Sequence, residues 1–178
     1  MSSIIKVNTF QDANGNALFN SDGSGNVTLS SNGLQNKPNF FAYLSSDQSL
    51  SGGAYTKLNV NAELWDTDSA YDATNSKFVV PSGEGGKYII GYSIGTNATL
   101  NDGERLIGRI YINGSGVNPT TSNDWSSGGS RDLFVNYTGV FDLSASDYVE
   151  LYGFHSQGGS ISILSNYTRL WGNKLIGA

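Results

Sequence analysis

The chain has 178 residues, 38% hydrophobic and 12% aromatic, which suits one packed domain with at most a small appendage and argues against disorder. Only 14% of residues are charged, the net charge is −5, and no two Lys or Arg adjoin, so the clustered cations required by nucleic acid or an anionic membrane surface are missing. Cysteine is absent, which excludes disulfides and thiolate metal centres, and no apolar run approaches the ~20 residues that span a bilayer.

Gly, Ser and Asn together fill 67 positions, a mixture that favours turns and strands over helices. The opening MSSIIKVNTF has neither the basic nor the apolar region of a signal peptide, so synthesis in a cytoplasm is expected. Residues 1–36 stand apart. An extended segment over residues 4–10 is followed by the turn cluster Asp12, Asn14, Gly15, Asn16, a short strand over 17–20, a second turn around Asp22 to Asn26, and a strand over 27–30. The two strand–turn units form a degenerate repeat with too few large side chains to close a core. Either this segment is ordered against another chain, or it is an unstructured tail.

Residues 31–38 read as a linker, and 39–44 as a buried strand opening a second region that runs from 37 to 178. A polar loop is expected over 45–53 and an alternating strand over 55–64. Asp66, Asp68 and Asp72 then follow within seven residues. A calcium loop would need an oxygen ligand at Ala70 and glycine next to it, so an Asp-capped turn is expected and no metal. Residues 71–94 carry the densest signal: a short strand at Phe78, Val79 and Val80, a turn at Pro81, and a longer strand with Tyr88, Ile90, Tyr92 and Ile94 on one face and Lys87, Gly91 and Ser93 on the other. A strand over 105–113 leads into a long polar loop over 115–131, and strands are expected over 132–143, 148–154, 160–164 and 167–176. No segment shows a 3.6-residue stripe, so the class is all-β, a sandwich or barrel.

From Asn39 onward the landmarks fall in the order of a known family. Phe40, Phe41 and Ala42 come first. Tyr71, Asp72, Thr74, Phe78, Val80, Pro81, Gly86 and Tyr88 follow, then Leu143, Ser146, Asp147 and Val149, and finally Leu170, Trp171, Gly172, Leu175 and Ile176. This region resembles the jelly-roll β-sandwich of the complement subcomponent one-q head and tumour necrosis factor-like domains. The chain departs from the pattern in a longer turn after Pro81 and in Ser146 where glycine is usual. The resemblance implies a homotrimer, with aromatic faces such as Tyr148 and Tyr152 available to line subunit contacts.

The stretch KVNTFQDANGN and the SDGSGNVT that follows resemble the N-terminal segments of structural proteins in tailed bacteriophages, marine ones especially. That likeness implies a virion protein made in the bacterial host cytoplasm. Residues 1–36 would attach to other virion proteins, and the head would act in a tail fibre or tip adhesin binding host-surface glycan. Two alternatives stay open: a capsid decoration, cementing or head-fibre protein without a specific receptor, and a glycan depolymerase.

No enzymatic site is expected. His155, the single histidine, has no Gly-x-Ser-x-Gly partner, and the acidic residues fall in turns that explain them. No cofactor is implied. For binding, Trp125 beside Asn123 and Asp124 pairs an apolar ring with hydrogen-bonding groups, as sugar recognition requires, with Arg131 and Tyr137 as further candidates. Trp125 could equally fold back onto the sheet as a plug.

Overall fold

The computed structural model describes residues 7–29, 36–98, 100–127 and 131–176. Its strands are β1 (Thr9–Gln11), β2 (Ala17–Ser21), β3 (Val27–Leu29), β4 (Asn39–Tyr43), β5 (Gln48–Ser51), β6 (Thr56–Lys57), β7 (Ala62–Asp66), β8 (Tyr71–Asp72), β9 (Lys77–Val79), β10 (Gly86–Thr96), β11 (Arg105–Ile112), β12 (Ser115–Gly116), β13 (Ser122–Trp125), β14 (Leu133–Leu143), β15 (Tyr148–His155), β16 (Ser160–Ile163) and β17 (Arg169–Lys174). Helical structure among the described residues is limited to 3-10 turns at Asn118–Thr120 and Ser165–Tyr167.

Alternation builds two facing sheets. A five-stranded sheet runs β14-β10-β17-β4-β7, and a seven-stranded sheet includes the path β12-β11-β15-β9-β8, with β13 joined to β11 and β6 to β15. In β10, Tyr88, Ile90, Tyr92 and Ile94 are fully buried and meet Leu106, Ile110, Val149 and Leu151 from the opposite sheet. This is the expected all-β jelly-roll sandwich. Phe78 clamps the layers: its ring stacks on Phe40 of β4 at 4.6 Å and lies 5.5 Å from Tyr88 of β10, while Tyr71 packs on Phe40 at 5.2 Å. Close packing also selects glycine. A Cβ on Gly108 would lie 2.4 Å from the buried Tyr92 ring, and one on Gly91 2.5 Å from Trp171, which rests on the outer side of β10.

Some expected elements are redrawn. Residues 45–53 are not a plain loop: β5 pairs with β16 and buries Leu50 completely, a single inward apolar residue too isolated to show periodicity. Residues 55–64 are not one strand. Thr56–Lys57 pairs with β15 in one sheet and Ala62–Asp66 with β4 in the other, so the chain crosses between layers and alternation breaks, with Leu58 and Val60 buried and Leu64 66% exposed. His155, the single histidine, ends β15 and is fully buried. Ser146, in the glycine position of the resemblance, has φ +73°, a left-handed backbone that penalises a side chain. Its N–H donates to Val80 O at 2.9 Å, which ties this turn to the strand end at Pro81.

The N-terminal strands form a separate antiparallel meander, β1-β2-β3. Its two turns are structural copies. Asp12 accepts from the backbones of Asn14 and Asn16 and from the Asn16 amide, and Asp22 does the same with Ser24 and Asn26. The side-chain amides of Asn16 and Asn26 hold these carboxyls below the ordinary aspartate range. Phe10 stacks on Phe19 at 4.9 Å, and Val7, Phe10, Leu18 and Val27 remain exposed. The expected extension over residues 4–6, the last residue of the 27–30 strand and most of the 31–38 linker lie outside the described residues.

Two stability changes follow, both measured by urea unfolding with unchanged m-value. Phe78→Ala empties the inter-sheet clamp and lowers stability by about 3–5 kcal/mol. Ser146→Gly relieves the left-handed backbone and raises stability by up to ~1 kcal/mol.

Candidate functional site

Within the polar stretch expected over 115–131, β12 and β13 pair with β11 and add a sheet edge. Pro119 sits in the first turn of the 3-10 piece, whose Thr120 is buried. Thr120 Oγ1 accepts from Ile110 N at 3.0 Å and donates to Val117 O at 2.7 Å. The Tyr92 hydroxyl, rising from the core, donates to Thr120 O at 2.8 Å and accepts from Ser122 N at 3.2 Å. Burial pushes this phenol well above the ordinary tyrosine range, so it stays a hydrogen-bond donor in alkaline solution. With its start anchored, β13 runs antiparallel to β11 and sets Trp125 opposite Arg105 and Asn123 opposite Ile107.

Strand alternation then divides the expected site residues. Asn123 and Trp125 point outward and are exposed. Trp125 is 52% accessible, so it is not a plug, and the Arg105 guanidinium lies 4.9 Å from its ring centroid. Asp124 faces the seam between sheets, where it accepts from Arg131 Nη2 at 2.7 Å and from Phe134 N at 3.2 Å. Arg131 also donates to Trp125 O at 2.7 Å, so this pair fixes the strand carrying the tryptophan. Tyr137 lies apart, half-buried on β14 and packed on Tyr92 at 6.1 Å and Phe141 at 6.4 Å. Gly128 and Gly129 of the expected loop lie outside the described residues.

The sequence reading missed Arg105, Arg109 and Tyr55. Arg109 lies 4.3 Å over the Tyr55 ring and donates from Nε to Thr121 Oγ1 at 2.9 Å. The outward alternation of Arg105 and Arg109 is visible in the sequence, but their aromatic partners come from other segments, Trp125 on β13 and Tyr55 just before β6. Tyr148 and Tyr152, expected at subunit contacts, sit on this same outer face: Tyr152 stacks on Tyr111 at 3.7 Å, and Lys77 covers Tyr148 at 5.0 Å.

The outer face of the five-stranded sheet is different. Phe41 packs against Trp65 at 5.0 Å and Trp171 at 6.3 Å, and with Asn36, Asn39 and Asn173 these rings border a groove of about 290 Å³. Trp65 is 49% exposed, Val140 59% and Phe134 40%.

The acidic residues act locally. Asp66 accepts from Ala70 N and Tyr71 N, and Asp72 from the backbone and side chain of Asn75, which makes the 66–72 stretch a carboxylate-capped turn. Burial raises the Asp66 carboxyl, while the Asn75 side-chain amide lowers that of Asp72. Among the described residues no three His, Asp or Glu side chains gather as a metal site. His155 Nε2 lies 2.8 Å from Leu50 O, and Ser156 Oγ donates to Glu104, so serine and histidine do not meet as nucleophile and base.

Two antiparallel sheets in this order, closed at one side by a seam strand, define a jelly-roll sandwich domain. The fold is that of the complement one-q and tumour necrosis factor-like domains. The globular domain of zebrafish complement 1qA matches with TM-score 0.59 at 18% identity, over 78% of this chain and 97% of that one. The Eiger TNF structure from S. frugiperda gives 0.56 at 14% over 79% and 92%, and murine APRIL gives 0.55 at 13% over 78% and 98%. No protein-family model and no curated protein matches the sequence.

Tyr92→Phe removes both anchors of the 120–122 backbone. Amide exchange at Ser122 should accelerate while that of the β10 core stays slow, and stability should fall by about 1–3 kcal/mol. Equal protection in both proteins would show that β13 is held by its ladder alone.

Proposed function

We propose that this chain is a structural protein of a tailed bacteriophage, a homotrimeric fibre or tip head that attaches to host-surface glycan and joins other virion proteins through residues 1–36. The observation that carries the reading is the division between its two outer faces. One presents Trp125 and Asn123 outward on a strand held by Tyr92, Asp124 and Arg131, a ring and an amide of the kind that engages a sugar. The other carries exposed Trp65, Phe134 and Val140 with half-buried Phe41, apolar side chains spread from one edge strand to the other, which fits burial of this face against copies of the same chain. On this reading the subunit contacts move from Tyr148 and Tyr152, which lie on the opposite outer face with the candidate glycan site, to these residues. The exposed apolar residues of the meander, Val7, Phe10, Leu18 and Val27, suit docking to a particle. Three heads on one particle convert weak single sites into avidity.

Sedimentation should give the mass of three chains, and Val140→Glu should reduce it to one; a wild-type mass of one chain refutes the trimer. Labelled protein should bind host cells, with Trp125→Ala weakening binding at least ~10-fold without lowering thermal stability. Absence of binding, with the protein located over the capsid shell by electron microscopy, would favour a decoration role.

A further inference from the structure

The outer face beside Trp125 holds two arginines without a carboxylate partner, in a chain with 15 acidic and 10 basic residues. Among the described residues the ion pairs are Lys57–Glu150, Arg131–Asp124 and Lys174–Glu84, and neither Arg105 nor Arg109 takes part. Each instead lies over an aromatic ring, Arg105 over Trp125 at 4.9 Å and Arg109 over Tyr55 at 4.3 Å. Arg109 is held on a second side by Thr121 Oγ1. A guanidinium stacked on a ring and tethered through Nε keeps its two Nη groups in a fixed plane, the fork that matches a carboxylate or sulfate. Acidic neighbours were available to the sequence at such positions, as Glu150 beside Lys57 shows, yet these two half-buried cations rest on aromatic supports.

Both side chains project from the same face of β11, four residues apart, so they stand roughly 13 Å from each other along the strand. One sugar ring cannot touch both. We infer that this face binds an acidic oligosaccharide, with Trp125 stacking on one ring and Arg105 and Arg109 each taking a carboxylate or sulfate along the chain. The inference rests on the glycan-attachment reading and specifies its ligand as anionic.

The test uses the full-length protein, isothermal titration calorimetry, and two probes: an oligogalacturonate hexamer and the same hexamer fully methyl-esterified. The acid form should bind at least ~10-fold more tightly, with affinity falling steeply between low and physiological salt. Arg109→Gln should remove most of that preference by weakening acid-form binding. Arg109→Lys, which keeps charge but not the fork, should recover it only in part, and circular dichroism should match wild type for both variants. Trp125→Ala should weaken both probes. Equal affinity for acid and ester, still dependent on Trp125, would overturn the anionic ligand and leave glycan attachment standing. Binding of neither probe would overturn both. Acid-form binding that an equal charge of oligothymidylate displaces as well would reduce the face to a non-specific polyanion surface and overturn the saccharide.

Discussion

The sandwich depends on one aromatic contact across its layers. Phe78 belongs to a strand of only three residues, too short to hold its place by ladder hydrogen bonds alone. Its ring, stacked on Phe40 and tilted against Tyr88, ties that strand to the centre of the opposite sheet. From there the order propagates. Val79 pairs with Tyr148, Val80 exchanges backbone hydrogen bonds with Ser146 and Asp147, and the last strand crosses Phe40 at Gly172. Residues distant in the chain are therefore neighbours around one stack. Non-directional apolar burial sets the spacing of the sheets, and the rings set their register.

What could be read from the chain follows the range of the interactions involved. The 86–96 strand is legible because its inward face is Tyr, Ile, Tyr, Ile, all fully buried, and strict alternation needs only neighbouring residues. The jelly-roll itself is legible because Phe40, Phe78, Ser146 and Trp171 are landmarks with fixed backbone or packing demands. The 45–53 stretch reads as a loop because its partner, β16, lies far along the chain and Leu50 is its one large apolar residue; the 115–131 stretch does so because β12 and β13 fold back on the preceding β11 with almost no apolar residues to mark them. In the candidate site, Arg131 meets Asp124 and the Trp125 carbonyl, and Asn123 and Trp125 share the outward side of β13. Their roles differ, though, since strand alternation turns Asp124 toward the seam and Tyr137 toward the core. The aromatic supports of Arg105 and Arg109 were out of reach, being contacts between separate strands that no local pattern encodes.

The two outer faces show how one sandwich can carry opposite surface chemistries. Inward positions of both sheets answer to the same core, but their outward positions are independent. On the five-stranded side they hold rings packed on one another, Phe41 on Trp65 and Trp171 and Phe134 on Tyr167, with Lys87, Asp142 and Arg169 on the same face and none of these stacked over a ring. On the seven-stranded side Trp125, Tyr55 and Tyr148 each have a cation over the ring, which satisfies its electron-rich face and keeps it compatible with water. Burial of the first face against other copies and solvation of the second are thus both consistent with a single packed interior.

The anchoring of β13 carries an evolutionary consequence. Its strand is held from beneath by a core hydroxyl, alongside by main-chain pairing with β11, and from behind by the Asp124–Arg131 pair, none of which involves the side chains at 123 and 125. Those two positions can therefore change identity without disturbing the interior. The edge strand behaves as an interchangeable cassette, whose outward side chains are decoupled from the packing of the sandwich beneath it.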